Sequence, residues 1–187
     1  MTAAACRILM ALAAFHAVAA AAAEWHADTA ASSLEFVATF EKAPAPGVFR
    51  TFDARVSLDE GQAAGGRVDV SVTLASADMA NADVNREIRG PDWFDAARFP
   101  LARFRSSGVR ALAGKRFVAS GTLDLKGVVR PVEVPFTWSE AGDAASMEGE
   151  LTLERTAFNV GVREWARTDV IGPEVKVRFR LRLRKDM

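Results

Sequence analysis

Apolar and polar side chains alternate along short blocks that fill most of the chain after residue 23. Val68, Val70 and Val72, for example, share one face of a block in which every second residue is polar. An alternation with period two is typical of β-strands that have one buried face and one exposed face. Strands are predicted at residues 33–40, 52–58, 67–74, 102–104, 117–125, 132–138, 147–153 and 175–183. Clusters of Gly, Pro and Asp separate these blocks, so the pattern indicates an all-β fold.

About eight strands that each carry an apolar face can pack as a two-sheet sandwich or close into a barrel. The short spacings between most of them fit antiparallel hairpins. Closure removes the strand edges that invite aggregation, and the interior of an eight-stranded barrel holds either side chains or one slender ligand. We therefore favour an eight-stranded antiparallel β-barrel, with the sandwich as the alternative.

Two longer segments interrupt the strand pattern. Residues 77–89 have apolar side chains near helical spacing, with Asp78 or Asn81 as the predicted N-cap and Gly90 followed by Pro91 as the end. The second segment, residues 155–172, is irregular and rich in bulky apolar groups. We expect one short helix and two long loops that cover the mouth of the barrel.

The first 23 residues have the composition of a secretory signal peptide. Arg7 is followed by an apolar run over residues 8–22, and Ala21, Ala22 and Ala23 stand directly before the charged Glu24. The run is too short and too rich in alanine for a transmembrane span. We therefore expect cleavage after Ala23, export to the periplasm and a single domain over residues 24–187.

The predicted signal peptide also contains Cys6 and His16, so the exported chain would have no cysteine and only one histidine, His26. Those counts exclude a disulfide framework, a cysteine nucleophile, thiolate zinc and multi-histidine metal sites. Cys6 precedes the apolar run, whereas a lipidated cysteine should follow it, so we expect no lipid anchor. Asp92 and Asp95 resemble turn formers more than an acid–base pair. We expect no enzyme activity, no metal and no cofactor other than a bound lipid.

The charges are balanced, with 24 basic and 24 acidic residues. A chain of this kind has no overall field to attract nucleic acid, and we expect no such partner. One regular cationic pattern lies on the predicted outer face of the last strand, at Lys176, Arg178, Arg180, Arg182 and Arg184. These side chains form either a solvated face paired across the sheet with Glu133, Glu148 and Glu150 or a surface for lipid phosphates or an acidic partner. The solvated face is the simpler interpretation.

Several segments resemble the YceI family of exported, lipocalin-like proteins. The matching residues are 25–28, 33–36, 47–49, 85–88, 92–95, 98–104, 121–132, 158–161 and 171–175. They extend over essentially the whole predicted domain. The chain departs from the family pattern at Ser32, where the family often has His, and at Glu87, where it often has Asp after the arginine.

The resemblance implies an eight-stranded antiparallel lipocalin-like barrel whose apolar channel binds a polyisoprenoid or similar amphiphilic lipid in the periplasm. It implies no catalysed reaction. The loop that contains Trp165 looks like that of members associated with b-type cytochromes of the inner membrane, which makes a quinone a candidate ligand. Ten bulky residues on inward or mouth positions are the predicted ligand contacts: Phe36, Phe40, Phe49, Phe52, Trp93, Phe94, Phe104, Phe136, Trp138 and Trp165. Because Arg86, Arg163 and Arg167 lie in the predicted covering segments, we expect one of them beside the polar head of the ligand.

The predicted function is to sequester or carry a long isoprenoid, either a polyprenyl lipid or a quinone. We expect a monomer or homodimer that touches the inner membrane transiently. Periodicity alone does not separate side chains that line a channel from side chains that fill a solid core. The alternatives are therefore a solid structural or regulatory barrel that acts through protein contacts, including contact with a membrane b-type cytochrome, and an enzyme built on the same barrel.

Overall fold

The computed structural model describes residues 23–59, 61 and 63–186. The predicted signal peptide thus lies outside the described residues, except for Ala23. Among the residues that are described, the structure contains no helix with the length and apolar character needed to cross a membrane.

Strands dominate the described chain, and every pairing between them is antiparallel. The strands are β1 (Glu24–Ala27), β2 (Ser33–Phe40), β3 (Ala43–Phe49), β4 (Phe52–Ser57), β5 (Arg67–Thr73), β6 (Ala77–Asp78), β7 (Leu101–Ala111), β8 (Arg116–Leu125), β9 (Val128–Ala141), β10 (Ala144–Glu154) and β11 (Glu174–Lys185). One α-helix, α1 (Ala82–Arg89), lies between β6 and β7.

The sheet closes on itself. Its order runs β1, β4, β5, β7, β8, β9, β10 and β11, and β11 pairs again with β1. Two of the eight positions in the ring are occupied by interrupted strands: β1 continues into β2 after a 3₁₀ turn at Thr29–Ala31, and β3 continues into β4 after two residues. The eight-stranded antiparallel barrel predicted from the alternation is confirmed, and the sandwich alternative is wrong.

One end of the barrel is filled by a densely packed apolar core, here called the closed-end core. Trp25 and Trp138 meet edge to face with ring centroids 5.6 Å apart, and Phe117 stacks on Phe136 at 5.5 Å. Leu58 and other apolar side chains of the strands complete the cluster. Edge-to-face and offset aromatic contacts are the favoured geometries, so the rings at this end pack closely against one another.

The strand β3 was not predicted, because its sequence contains Pro44, Pro46 and Gly47. The pairing explains how a strand tolerates these residues. Both prolines pair with β2 on one side. On the other side, the only partner within the described residues is β6, which reaches no further than Val48 and Phe49. A proline lacks the N–H needed for a second ladder, so it fits an edge position of this kind.

The helix is shorter than the predicted span 77–89. It begins after Asn81, whose side chain accepts hydrogen bonds from the backbone N–H groups of Asp83 and Val84. Asp78 was the other predicted N-cap and instead ends β6. The helix stops at Gly90 as predicted. Residues 77–78 join the sheet because Ala77 and Asp78 pair with the end of β3, a long-range contact that helical spacing cannot reveal.

The two long connections, residues 74–100 and 155–173, lie together over the end of the barrel opposite the closed-end core, here called the open end. The N–H groups of Gly161 and Val162 both donate to the carbonyl of Asp92, each at 2.9 Å. Gly172 N–H donates to the carbonyl of Thr39 at 2.9 Å, so the second connection is also tied to β2. The predicted covering loops are confirmed.

The cationic face of β11 is exposed and largely paired with acidic side chains. Arg178 forms an ion pair with Glu150, Arg182 lies 3.4 Å from Glu148, and Arg184 lies 3.5 Å from Asp28. The Glu150 carboxylate holds the pKa of Arg178 above its usual value, and the pKa of Glu150 is lowered in return. The predicted cross-strand pairing is confirmed for Glu148 and Glu150. It is wrong for Glu133, which lies on β9 between β8 and β10 and accepts from the Ser120 hydroxyl.

Candidate functional site

A cavity of about 760 Å³ occupies the barrel between the closed-end core and the two covering connections. Its wall is formed by the inward residues of the strands, such as Val70 and Val72 on β5 and Leu151 on β10. Ligand sites usually have volumes of several hundred to 1,000 Å³, so this space is large enough for a small lipid. The barrel interior therefore contains an open chamber at this end and a solid core at the other.

The wall is almost entirely apolar. Among the described residues, its polar side chains are only Thr39, Asp83, Glu87 and Arg155. Aliphatic and aromatic side chains cannot compensate a polar ligand for its lost hydration, whereas an apolar ligand gains by leaving water. The chemistry of the wall thus selects for hydrocarbon.

The cavity reaches the surface between the β2–β3 turn and α1. Phe40 is 47% exposed and Val84 is 38% exposed, although both line the cavity. Asp83 and Glu87, on the same helix as Val84, are also exposed lining residues. We call this opening the cavity mouth. It has an apolar edge and two carboxylates beside it.

A hydrogen-bonded clasp at Asp78 holds α1 at the cavity mouth. The Asp78 carboxylate accepts from the Asn85 amide at 2.9 Å, from Ala80 N–H at 2.8 Å and from Arg50 Nε at 2.8 Å. The Asn85 oxygen in turn accepts from Met79 N–H at 2.7 Å. These donors, with Asn85 the strongest, lower the pKa of Asp78 to about 2. The carboxylate therefore stays charged under ordinary conditions and fixes the start of the helix.

Arg155 is 3% exposed and lines the cavity. Its guanidinium donates to five backbone carbonyl oxygens, those of Val160, Gly161, Arg167, Ile171 and Gly172. Every acceptor found for it in the described part of the chain is a carbonyl of the second covering connection. Burial lowers the pKa of Arg155. The side chain acts as an internal scaffold that folds residues 155–173 over the barrel.

Arg155 was not among the residues predicted for the site, although the alternation contained a signal for it. Met147, Leu151 and Leu153 are odd-numbered residues whose side chains line the cavity. Arg155 is the next odd position after the predicted strand 147–153, so the same register points its side chain inward. An arginine that continues an inward apolar series must find acceptors inside the fold.

Two tryptophans from different connections meet at the cavity wall. The rings of Trp93 and Trp165 have centroids 5.7 Å apart, and the Arg155 guanidinium lies 5.8 Å from the Trp93 ring. Both indole Nε1 atoms are buried, and neither has a hydrogen-bond partner in the described structure. The other two indoles are satisfied: Trp138 Nε1 donates to Glu140 at 2.7 Å, and Trp25 Nε1 donates to the Leu58 carbonyl at 3.4 Å.

Eight of the ten predicted contact residues line the cavity, namely Phe36, Phe40, Phe49, Phe52, Trp93, Phe94, Phe104 and Trp165. Phe136 and Trp138 do not line it. They are 3% and 1% exposed and belong to the closed-end core. The alternation places both on the inward face, as predicted, but it gives no information on their height along the barrel axis. We therefore leave both out of the candidate site.

The three arginines predicted beside a ligand head group lie outside the cavity wall. Arg86 pairs with Asp83 on the helix surface at 2.9 Å, and Arg167 pairs with Asp169 at 2.6 Å. Arg163 forms an ion pair with Asp92. The prediction that one of them lies beside a ligand head group stays a prediction; among the described residues, the arginine that lines the cavity is Arg155. The three exposed arginines pair with carboxylates near them in sequence or across the cover.

The remaining polar residues considered in the sequence have structural contacts. The ion pair with Arg163 joins Asp92 of the first covering connection to the second. His26 Nδ1 lies 2.6 Å from Asp186 Oδ1 on the outer surface, beside the strand ends that surround the closed-end core. Neither residue lines the cavity.

This chain is similar to known proteins in both sequence and fold. The family model for the YceI-like domain matches residues 25–183. A UPF0312 protein of Azotobacter vinelandii is 35% identical over 120 residues, which cover 61% of this chain and 62% of that protein. The chain thus matches less than two thirds of the length of this curated relative.

Two solved structures share the fold. Burkholderia cenocepacia BcnA has a TM-score of 0.81 and 35% sequence identity, with 83% of this chain and 98% of that chain covered. A polyisoprenoid-binding domain from Saccharophagus degradans, implicated in plant cell wall breakdown, has a TM-score of 0.71 and 20% identity, with 87% and 98% covered. The barrel, its covering connections and the match over residues 25–183 show that this chain belongs to the YceI family.

Proposed function

We propose that this protein binds a long isoprenoid lipid in its cavity and carries or sequesters it without changing it chemically. The observation that carries this proposal is the apolar chamber of about 760 Å³, which reaches the surface at the cavity mouth. The polyisoprenoid-binding domain of similar fold supports the choice of ligand. We further propose export to the periplasm, on the basis of the leader-like residues 1–23.

The volume of the cavity suggests how much of a tail it holds. At roughly 30 Å³ for each water-sized group, 760 Å³ accommodates on the order of 25 carbon groups, or about five prenyl units. Each buried methylene contributes about 0.8 kcal/mol of gross stabilisation, which offsets the entropy lost by an ordered chain. A longer tail would extend through the cavity mouth, past Phe40 and Val84.

The eight lining residues of the predicted set are our proposed tail contacts. Phe49 packs on Phe36 at 5.0 Å and on Phe94 at 5.8 Å, so strands and covering connection form one continuous aromatic wall. Aromatic side chains provide large contact surfaces that accept a flexible branched chain without demanding one conformation. Phe52 and Phe104 extend this wall into the barrel, where both side chains are 8% exposed.

Binding without catalysis is favoured by the polar groups around the cavity. Asp83 and Glu87 are exposed at the mouth, and all five donors of Arg155 are engaged by carbonyls. Such groups do not form the nucleophile–base arrangement that an enzyme of the alternative class requires. The solid-core alternative is also disfavoured, because the chamber is not filled by side chains.

The test is native mass spectrometry of the protein purified from the periplasm of its own cells, followed by organic extraction and identification of the lipid. We expect a stoichiometric isoprenoid. Phe104→Asp introduces a carboxylate into the wall and should abolish retention, whereas Val129→Asp places the same group on a side chain that is 61% exposed and outside the wall. A folded Phe104→Asp variant that retains lipid as well as Val129→Asp would refute the proposal.

A further inference from the structure

One segment of the second covering connection, residues 163–169, is fixed mainly at its two ends. At one end, the Val162 N–H donates to the Asp92 carbonyl at 2.9 Å. At the other end, the Val170 carbonyl accepts from the Glu41 N–H at 2.8 Å. All residues between these two points except one are exposed. We call residues 163–169 the flap.

The exception is Trp165, which is half-buried and is the one flap residue, among those that the structure describes, that lines the cavity. Its ring packs on Trp93 of the first covering connection, with centroids 5.7 Å apart. The flap backbone makes only two hydrogen bonds to described residues outside the flap. Trp165 N–H donates to the Val162 carbonyl at 3.2 Å, and the Arg167 carbonyl accepts from Arg155 at 3.5 Å. One aromatic side chain therefore keeps most of the flap closed.

The closed flap has two unfavourable features. The Nε1–H groups of Trp93 and Trp165 are buried, and neither has an acceptor in the described structure. A donor that is removed from water without a partner is destabilising, and such groups are rare in native proteins. Arg163, the first residue of the flap, has a φ of 57°, in the left-handed region that is unfavourable for a residue with a Cβ atom. Lifting the flap relieves both, because the Trp165 N–H returns to water and Arg163 is released.

An ion pair holds the strained end of the flap. The Arg163 guanidinium pairs with the Asp92 carboxylate, and 74% of the arginine side chain is exposed. An exposed pair of this kind stabilises only weakly, so it opposes opening without preventing it. The other end of the flap borders the cavity mouth, because Ile171 forms a bridge with Phe40. Opening of the flap therefore widens the mouth.

We infer that residues 163–169 open as a gate through which the lipid enters and leaves, with Trp165 as the plug and the Arg163–Asp92 ion pair as the clamp at the hinge. This inference rests on the proposed function and adds the route into the cavity. In the closed position, Trp165 covers the bound tail and excludes water. The two unsatisfied indole donors make that position easier to leave.

The test measures the rates of binding and release of retinol, a fluorescent isoprenoid alcohol, by stopped flow. Trp93→Cys and Trp165→Cys are combined in one variant, and a short reducible bismaleimide joins the two thiols. The exported chain is expected to contain no other cysteine. The linked protein holds the flap closed, and the same protein after reduction is its matched control, since both forms lack the same two indoles.

We expect the link to slow both binding and release by about tenfold or more relative to the reduced form. In a second comparison, Arg163→Ala should raise both rates by about two- to fivefold and change the affinity little. Arg178→Ala is the control, because it removes the same side chain from an exposed ion pair with Glu150 on the outer face of β11. High salt should speed exchange in the wild type and not in Arg163→Ala.

The wild-type protein also gives an answer by itself, whether or not a variant folds well. Its amide hydrogens in residues 163–169 should exchange faster than those of Val162 and Gly172, whose N–H groups are bonded to Asp92 and Thr39. Equal protection across these residues would overturn the gate.

The outcomes separate the gate from the proposed function. If the linked and reduced proteins exchange retinol at the same rate, or if Arg163→Ala weakens binding with no change in the association rate, the gate is wrong and the lipid site stands. If retinol and prenyl alcohols do not bind the wild type at all, the proposed function is refuted, and the gate with it.

Discussion

Replacing Ala102 by Phe should shorten the tail that the cavity accepts. Ala102 lies at the start of β7, is 7% exposed and lines the cavity beside Val72 of β5. A phenyl ring built on this position has nowhere to go except into the chamber, because the wall behind it is the barrel sheet. The substitution therefore removes space without adding charge.

The size of the effect follows from the cavity volume. If 760 Å³ holds about five prenyl units, the six carbons of the ring displace roughly one of them. The methylene value of about 0.8 kcal/mol sets an upper limit near 4 kcal/mol for the five carbons expelled. Part of this loss is recovered where the tail moves towards the cavity mouth. We expect at least a tenfold loss of affinity, about 1.4 kcal/mol, for a five-unit tail.

The assay is a titration with a series of prenyl alcohols from two to seven units. Affinity for the wild type should rise with length and level off near five units, whereas Ala102→Phe should level off about one unit earlier. Val129→Phe adds the same ring to an exposed site outside the wall and should follow the wild type. Identical length profiles for a folded Ala102→Phe variant and the wild type would show that the tail does not occupy this chamber.

Three further substitutions test the fold around the site. Arg155→Met should lower the free energy of unfolding by at least about 2 kcal/mol, because it leaves buried carbonyl groups without hydrogen-bond donors. Amide hydrogen exchange should become faster mainly in residues 155–173. Exchange protection in that loop equal to that of the wild type would contradict the scaffold role. The pKa of Asp78 is about 2, against an ordinary value of 3.8, so its carboxylate stabilises the fold above pH 3.8 and this stabilisation is lost as the pH falls towards 2. Between pH 3.8 and 2, the thermal unfolding midpoint of Asp78→Asn should therefore depend less on pH than that of the wild type. An equal pH dependence of the two midpoints would refute the clasp. Gly121→Ala places a Cβ 2.2 Å from the Arg105 carbonyl oxygen and should lower the free energy of unfolding, measured with denaturant, by about 1–3 kcal/mol. Gly108→Ala is the control: a Cβ at that position meets no atom within 4 Å, so the stability should change little.

The sequence predicted the barrel well where one residue type alternates without interruption. Val68, Val70 and Val72 define both the strand and its inward face, and the structure has β5 in that place. The prediction of strands failed where pairing between strands outweighs the preferences of the local sequence. The proline-containing β3 forms because β2 provides a partner on one side. The strand β7 extends to Ala111 because a bulge near Ser106 and Gly108 shifts the alternation of inward and outward side chains, which made the strand look as if it ended earlier.

The candidate site was predictable to the extent that an inward face is predictable. Phe104 and Phe136 have the same pattern in the sequence, yet Phe104 lines the cavity and Phe136 stacks on Phe117 in the closed-end core. Side-chain period specifies a face of the sheet. The height of a side chain along the barrel axis depends on the register of all eight strands around the ring. The sequence of a single strand contains no information on that register.

The amino-acid sequence by itself determined that this chain forms antiparallel strands with one apolar face each, since alternation and turn residues act within a few neighbours along the chain. The tertiary structure alone decided that these strands close into a barrel rather than a sandwich, and that the interior is divided into a solid core and a chamber. It also brought Trp93 and Trp165 together and gathered five carbonyls around Arg155. The two tryptophans lie in different covering connections, which meet only when barrel closure brings both to the same end. The carbonyls around Arg155 belong to its own connection, and they surround the guanidinium only because that connection folds back over the barrel.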